Sequence, residues 1–206
     1  LKDGIDITPQ SFYTRLRESK NLPTSSQPSA KEFEIFFRTC AQGYAAIVAV
    51  LFSSKISGTV SCAQTARYEI SDIPIHIVDS CSSSMGLGFC VIAAARAAVE
   101  GKSIDDVVAT AERMRDNVQM LFVVDTLEYL HRSGRIGGGK RIMGTALQIK
   151  PLLHFQNGLI QSIGQARTKK KALLQLLDLV EERLAGRSMA EVAVVNIDCV
   201  EEGQLL

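Results

Sequence analysis

The sequence predicts an α/β protein of two domains: a three-layer α/β/α domain built on a parallel sheet, followed by a two-layer α/β domain with a mixed, partly antiparallel sheet. In the first half, short apolar runs alternate with Ser/Gly-rich loops and helical patterns, as in parallel sheets with crossover helices. In the second half, Asn157-Gly158 separates Leu152–Phe155 from Leu159–Gly164, a strong signal for an antiparallel hairpin. We place the two domains at 1–82 and 83–206.

Two helices are predicted at the start of the chain. Thr8-Pro9 has the form of an N-cap followed by proline at the first helical position, and the helix should run to about Ser19. Ser29 and Glu32 have the spacing of a capping box and predict a second helix. We expect the buried side of that helix to carry three aromatic residues, Phe33, Phe36 and Phe37.

The parallel sheet is predicted from two apolar runs and the loops after them. Ala45–Phe52 is continuously apolar, as expected of a strand covered on both faces, and a helix should follow its loop as far as Ile70. Ile75–Val78 is the second strand. A longer loop, Asp79–Gly88, then precedes an alanine-rich helix.

The second half supplies the remaining elements. A helix is predicted at Ser103–Asp116, a strand at Gln119–Asp125 and a glycine-rich turn at Gly134–Gly139. After the hairpin, a long helix should run over Thr168–Leu184, and Ala193–Ile197 has the pattern of a final strand.

Composition limits the classes of function. The formal net charge of +1 over 206 residues gives no electrostatic reason to bind nucleic acid, and no apolar run reaches the ~18 residues that a membrane span needs. Five cysteines without a Cys-x-x-Cys pair are typical of reduced thiols, so we expect a cytoplasmic protein without stable membrane insertion. The chain opens at Leu1 without methionine, and we expect each domain to lack a terminal segment.

Three Ser/Gly-rich loops, at 24–29, 53–59 and 80–88, are the most unusual feature. The second and third lie between a strand and a helix, where open α/β sheets bind ligands and helix N-termini favour anions. Hydroxyl groups of Ser25 and Ser57 would add neutral donors, although serines also serve as simple caps and turn residues. Because these loops carry few charges, a singly charged carboxylate fits them better than a pyrophosphate.

Several chemistries lack their signatures. The sequence has no Gly-x-x-x-x-Gly-Lys-Ser/Thr loop and no Gly-x-Ser-x-Gly motif, and its three histidines show no triad or metal-ligand spacing. Asp79 and Asp125, which end predicted strands, are expected to cap the following helices. We therefore predict no catalytic residue, metal or cofactor, while a serine-dependent acyl hydrolase using one of the same loops stays the alternative.

Four cations gather at the start of the last long helix, within Arg167-Thr-Lys-Lys-Lys171. The macrodipole disfavours positive charge at that end, so the cluster indicates either a docking surface for a partner or an ordinary solvated face.

Six segments carry a resemblance to a known family. In order and spacing they resemble the successive motifs of the DegV family over nearly the whole chain: Pro23-Thr-Ser-Ser-Gln-Pro-Ser29, Ser53-Ser-Lys-Ile-Ser-Gly-Thr59, Ile77-Val-Asp-Ser80, Leu130-His-Arg-Ser-Gly-Arg-Ile136, Ile149-Lys-Pro151 and Ala166-Arg-Thr-Lys-Lys-Lys171.

The resemblance implies a carrier that binds a long-chain fatty acid and performs no chemistry itself. It assigns the acid's carboxylate to Ser25 and Ser57, with Thr24, Gly58 and Thr59 beside them. It also implies presentation of the acid to a separate ATP-dependent fatty-acid kinase, for acyl-phosphate formation in phospholipid metabolism. The residues implied to dock that kinase are Arg167, Lys169 and Lys170. Two further family features are absent from this sequence, a first strand ending in Asp-Ser and a late His-x-Gly-Pro-Gly motif.

Overall fold

The computed structural model describes residues 1–19, 21–137, 149–187 and 191–204. In chain order, these residues form the helices α1 (Pro9–Glu18), α2 (Ala30–Cys40), α3 (Thr59–Tyr68), α4 (Ser84–Val99), α5 (Ile104–Asn117), α6 (Glu128–Arg132), α7 (Lys169–Leu184) and α8 (Val200–Gly203). The strands are β1 (Ile47–Leu51), β2 (Ile75–Asp79), β3 (Leu121–Val123), β4 (Lys150–Gln156) and β5 (Leu159–Ala166).

A parallel pair, β1 and β2, forms the first sheet, with Ile47 opposite Ile75 and Leu51 opposite Asp79. Helices α2 and α3 bury apolar side chains on one face of this sheet, among them Phe33, Phe37, Ala63 and Ala66. Helices α4 and α5 cover the other face with Ala94, Ala97, Val107 and Ala111. Helices on both faces explain why the two strands read as continuously apolar, and the predicted three-layer arrangement is confirmed.

The capping box of α2 forms as predicted, but one of its three aromatic side chains does not face the core. Glu32 accepts from the backbone N–H of Ser29 at 2.8 Å, and Ser29 Oγ accepts from the backbone N–H of Glu32 at 3.2 Å. Phe37 is only 1% exposed, whereas Phe36 is 61% exposed, so the prediction for Phe36 is wrong. Phe33 and Phe37, four residues apart, lie on the apolar face of the helix and face the sheet. Phe36 lies at the edge of that face.

The third Ser/Gly loop is shorter than predicted. Helix α4 already begins at Ser84, so the loop covers only 80–83, and both Gly86 and Gly88 lie inside the helix. A Cβ atom added to Gly86 would collide with Ser82 Oγ. Gly86 is therefore needed for close packing of the helix against the loop and does not form a turn.

The second sheet has the antiparallel order β3-β4-β5, which confirms the predicted hairpin. Its turn residues have positive φ, 51° at Asn157 and 80° at Gly158, as a two-residue hairpin with a type I′ turn requires. Helix α7 packs on one face of this sheet, over an apolar cluster of Val123, Leu152, Ile163, Ala166, Ala172, Leu176 and Leu179.

Of two further predictions, a final strand and a glycine-rich turn, the first is wrong and the second falls partly outside the described residues. Ala193–Ile197 is not a strand: its residues have no regular structure, and Val194 and Ile197 are exposed. A strand needs a hydrogen-bonded neighbour, and the described residues provide none for this segment. Of the predicted turn Gly134–Gly139, the last two residues lie outside the described part of the chain.

The described residues form two compact units. One consists of the described parts of Leu1–Ser26 and Ser188–Leu206, in which Arg17 forms an ion pair with Asp198. The other, Gln27–Arg187, contains both sheets. Helices α4 and α5 come after residue 82 and still cover one face of the first sheet. Residues on both sides of the predicted boundary at 82/83 therefore pack on that sheet. The boundary itself stays a prediction. Over the described ranges, no helix is long and apolar enough to cross a bilayer.

Candidate functional site

The loops after β1 and β2 meet at one edge of the parallel sheet, because the carboxyl ends of parallel strands point the same way. The backbone N–H of Ser53 donates to the carbonyl of Ser82 at 2.9 Å, and the N–H of Ser80 donates to the carbonyl of Leu51 at 3.0 Å. These bonds continue the pairing of the strands into the loops. The two loops thus lie side by side and bring their hydroxyl groups to one edge of the sheet.

Ser53 holds the first of these loops in shape. Its side chain is fully buried, and its Oγ donates to the carbonyl of Gly158 at 2.7 Å. Its own carbonyl accepts the N–H groups of Ile56 and Ser57, each at 3.1 Å. Ser53 was not among the residues predicted from the sequence, although its place directly after the apolar run Ala45–Phe52 was an available signal.

Ser57 and Thr59 present two hydroxyl groups at the start of α3. Ser57 Oγ lies 2.7 Å from Thr59 Oγ1 and accepts the N–H of Thr59 at 3.3 Å. Ser57 is half-buried and Thr59 is 7% exposed. The first N–H groups of a helix have no carbonyl partner within it, so hydroxyls and amide dipoles together create an environment suited to an anion.

Gly58, the N-cap residue of α3, leaves room for a neighbouring side chain. A Cβ atom at this position would lie 2.8 Å from Nε2 of Gln27. Gln27 in turn contacts Cys62 Sγ at 4.0 Å. The glycine therefore permits the present position of the Gln27 amide, which an added Cβ would displace.

The hydrogen-bond partners of Ser57 bear on the choice between a binding and a catalytic serine. A serine nucleophile needs a base within hydrogen-bond reach, but the recorded partners of Ser57 Oγ among the described residues are another hydroxyl and an amide. This geometry does not favour the hydrolase alternative. Thr24 and Ser25 are exposed, lie outside helices and strands, and belong to the smaller unit, so their predicted role stays a prediction.

Asp79 and Asp125 do not cap the helices that follow them, which corrects that expectation. Asp79 accepts the N–H of Ser54 at 3.2 Å and the N–H of Cys81 at 2.8 Å, so its carboxylate braces both loops. Asp125 pairs with Lys150 at 2.9 Å and Lys169 at 3.2 Å. The bond from Lys150 contributes most to lowering the pKa of the Asp125 carboxyl, against the opposing effect of burial.

The predicted docking cations lie at the start of α7, where Thr168 is the N-cap and accepts the N–H of Lys171 at 3.3 Å. Arg167 and Lys170 are exposed. Lys169 is half-buried, and its ammonium group is engaged by Asp125. The structure therefore leaves Arg167 and Lys170 more accessible to a partner than Lys169.

A cleft of about 440 Å³ opens beside the loop at 80–83, but none of the predicted fatty-acid-binding residues lines it. Most of its wall is polar, with Ser80, Ser82, Arg115, Arg183 and His154 among the lining residues. Burial first, and Arg183 second, lower the pKa of His154. Such a wall suits water or a small polar molecule better than an acyl chain. In the described residues, no cluster of His, Cys, Asp and Glu is arranged to hold a metal.

A model of protein families, described as "Uncharacterised protein, DegV family", matches residues 1–206. The chain belongs to the DegV family. Protein DegV of Bacillus subtilis is 32% identical over 202 residues, which are 98% of this chain and 72% of that protein. A DegV domain-containing protein of Clostridium acetobutylicum is 36% identical over 205 residues, covering 98% of this chain and 72% of its own. The resemblance inferred from the six motifs is confirmed.

Solved structures of DegV proteins share this fold. A structure described as "Fatty Acid Binding of a DegV family Protein from Thermus thermophilus" has 35% identity and a TM-score of 0.82, covering 89% of this chain and 65% of that one. DegV of Bacillus subtilis, described as a fatty acid binding protein, has 34% identity and a TM-score of 0.76, with 84% and 62% covered. The chain thus spans less than two thirds of these solved chains.

Proposed function

We propose that this DegV protein binds one long-chain fatty acid, holds its carboxylate at the Ser/Gly loops, buries its tail, and performs no chemistry on it. The observation that carries the proposal is the hydroxyl pair of Ser57 and Thr59 at the N-terminus of α3, 2.7 Å apart. Support also comes from family membership and from solved relatives described as fatty-acid-binding proteins.

In this proposal, the head group is bound by Ser57, Gly58 and Thr59, with Thr24 and Ser25 as further ligands. A desolvated carboxylate needs hydrogen-bond donors, since burying it without them is prohibitively unfavourable. Hydroxyl and amide donors at the start of α3 meet that need. Because the hydroxyl of Ser25 is the part that matters, Ser25→Thr should keep binding and Ser25→Ala should weaken it.

For the tail, we propose the face of the second sheet opposite α7. By strand alternation this face carries Leu153 and Ile160, which are buried, and Phe122 and Phe155, which are half-buried with their rings 6.3 Å apart. Phe155 also lines the polar cleft beside the loop at 80–83. A tail of roughly sixteen carbons gains up to ~11 kcal/mol on burial, at ~0.8 kcal/mol per methylene. The costs of ordering and association reduce that gain substantially.

The bound acid would then be presented to a separate fatty-acid kinase, which binds ATP and transfers its γ-phosphoryl group to the carboxylate, giving the acyl-phosphate and ADP. We propose that Arg167 and Lys170 dock that partner, with Lys169 beside them. Exposure of Arg167 and Lys170 at the start of α7 supports this role, because cations placed against a helix dipole contribute little to folding.

Titration of the delipidated protein with saturated fatty acids of increasing length tests the proposal. Each added methylene that enters an apolar site should raise the affinity up to about fourfold, corresponding to ~0.8 kcal/mol. The affinity should level off once the tail fills the site. Absence of binding, or an affinity that does not change with length, would contradict the proposal.

A further inference from the structure

The polar cleft beside the loop at 80–83 is also walled by three elements of the larger unit. Arg115 comes from near the end of α5, His154 from β4 and Arg183 from the last turn of α7. The cleft volume of about 440 Å³ falls within the range of small-molecule sites, roughly 300–1,000 Å³. Because no residue proposed for the fatty acid's head group lines this cleft, it offers a separate place for a ligand.

Arg183 is a half-buried cation whose hydrogen-bond partner is neutral. Its Nη1 donates to Oε1 of Gln119 at 2.7 Å. In the part of the chain that the structure describes, no carboxylate lies within salt-bridge distance of this guanidinium group. Arginine has five N–H donors, so one bond to Gln119 leaves most of them for a ligand. Proteins commonly pair a charge that is partly withdrawn from water, and an anion from solution would supply the partner of Arg183.

The other charges of the cleft do not compensate Arg183. Asp116 is the one carboxylate among the described lining residues, and it pairs with Arg115 at 2.8 Å. Arg115 also lies 3.5 Å from Glu112, which is outside the cleft. Burial, and then the charge of Arg183, lower the pKa of His154, so its ring is neutral near pH 7. The cleft therefore keeps the positive charge of Arg183.

Neutral polar groups surround that charge. Ser82 is only 4% exposed, and the recorded acceptor of its Oγ is the thioether sulfur of Met120 at 3.7 Å. A thioether is a weak acceptor, so an oxygen of a ligand would be a better partner for this hydroxyl. Further side-chain amides in the wall are those of Gln119, Gln156 and Asn157.

We propose that this cleft binds a small phosphorylated molecule, with its phosphate group on Arg183 and its neutral part among the side-chain amides. A phosphate group presents three strong acceptor oxygens, whereas a carboxylate presents two in one plane. The donors of Arg183, His154 and Arg115 come from three different elements and therefore suit three oxygens better than two. The planar fork of a guanidinium group binds two phosphate oxygens together. This site goes beyond the proposed function, because it takes a second ligand.

The test uses the full chain at constant pH and ionic strength, with methyl phosphate as the probe and NMR signals of the histidine rings as the readout. His154 lines the cleft, whereas His76 and His131 do not, and His154→Gln assigns its signal. Methyl phosphate should shift the His154 signal saturably and leave the other two unchanged. Acetate should bind about tenfold more weakly, as expected from the loss of one charge-assisted hydrogen bond.

Arg183→Gln should weaken binding of methyl phosphate by about ten- to a hundredfold, as expected for hydrogen bonds to a charged group. Arg183→Lys keeps the charge but loses the planar fork, so its affinity should lie between those of the wild type and Arg183→Gln. Arg187→Gln is the matched control, because it removes an exposed cation just beyond α7 and outside the cleft. All three variants should bind fatty acid as the wild type does.

Absence of a saturable His154 shift, or equal affinity of Arg183→Gln and wild type for methyl phosphate, would overturn the inference. Acetate that binds as tightly as methyl phosphate would also overturn it, since the cleft would then accept any anion. A parallel loss of fatty-acid affinity in Arg183→Gln would assign the cleft to the fatty-acid site instead. If Arg183→Gln does not fold, Arg183→Lys decides: weaker binding of methyl phosphate supports the inference, and unchanged binding overturns it. A wild type that binds methyl phosphate but no fatty acid would overturn the proposed function alone.

Discussion

Ser57 owes its position to its neighbours more than to its own side chain. The carbonyl of the buried Ser53 accepts the N–H groups of Ile56 and Ser57 and so stabilises the conformation of the loop. Asp79 stabilises it further by accepting the N–H of Ser54. What Ser57 itself contributes to this framework is a hydroxyl shared with Thr59. Removing that hydroxyl should therefore leave the loop intact and change ligand binding.

Ser57→Ala should weaken fatty-acid binding by about 1–3 kcal/mol, the cost of leaving a charged group one hydrogen bond short. Isothermal titration of the delipidated variant measures this loss. Ser54→Ala is the matched control, because Ser54 lies in the same loop but is exposed, and its affinity should equal that of the wild type. Unchanged affinity in a folded Ser57→Ala variant would remove Ser57 from the site.

The hairpin turn between β4 and β5 supports the loop at 53–59. Gly158 accepts a hydrogen bond from Ser53, and a Cβ atom at Gly158 would lie 2.6 Å from Ser53 Oγ and 3.0 Å from Lys55 Cγ. The turn thus requires glycine for two reasons, the positive φ and the close approach of the loop.

Gly158→Ala should lower the free energy of unfolding by about 1–2 kcal/mol from backbone strain and by about 1–3 kcal/mol more from overpacking against Ser53. Gly101→Ala is the control for strain alone, since Gly101 has a similar φ of 74° with no atom within 4 Å of an added Cβ. Denaturant unfolding of both variants gives the difference. If both variants lose the same free energy of unfolding, the contact of residue 158 with Ser53 contributes nothing to the loss.

The N-terminus of α7 offers a prediction about the partner. Arg167→Ala should leave fatty-acid binding and Tm nearly unchanged, because Arg167 is exposed and its charge opposes the helix dipole. With a fatty-acid kinase and ATP supplied, acyl-phosphate formation should fall sharply. The wild-type rate should also fall with salt, as the screening length drops from roughly 10 Å toward 3 Å.

Arg187→Ala, which removes an exposed cation just after the other end of α7, is the control and should keep the wild-type rate. Kinase-coupled turnover of both variants at low and high salt makes the comparison. Equal rates for Arg167→Ala and wild type would assign the cluster to an ordinary solvated face.

Elements with a local signal could be predicted from the sequence, and those that depend on distant contacts could not. The capping box at Ser29 and the turn at Asn157-Gly158 form as predicted, since each needs only residues next to it. The start of α4 was placed too late because Gly86 resembles a loop residue until its contact with Ser82 is known. The Ser53–Gly158 bond joins residues 105 positions apart, and no sequence pattern indicates it.

Both sheets of the larger unit contribute to the proposed site. The parallel sheet brings the loops after β1 and β2 to one edge, and the hairpin of the second sheet meets the first of them through Ser53. Arg135, held against β5, reaches the same loop at Ile56. Hydroxyl donors, helix N-terminal amides and one cation thereby converge on a single segment, residues 53–59, which suits a carboxylate at the end of an apolar chain.

Mass spectrometry of lipid extracted from the purified protein tests this account most directly. We predict a free long-chain fatty acid at close to one molecule per protein chain, with much less retained in the Ser57→Ala variant. The protein should also exchange its bound lipid for added fatty acid. On its own, it should form neither an ester nor an acyl-phosphate. A protein that carries no fatty acid and takes none up, or that carries a neutral lipid in its place, would contradict the account.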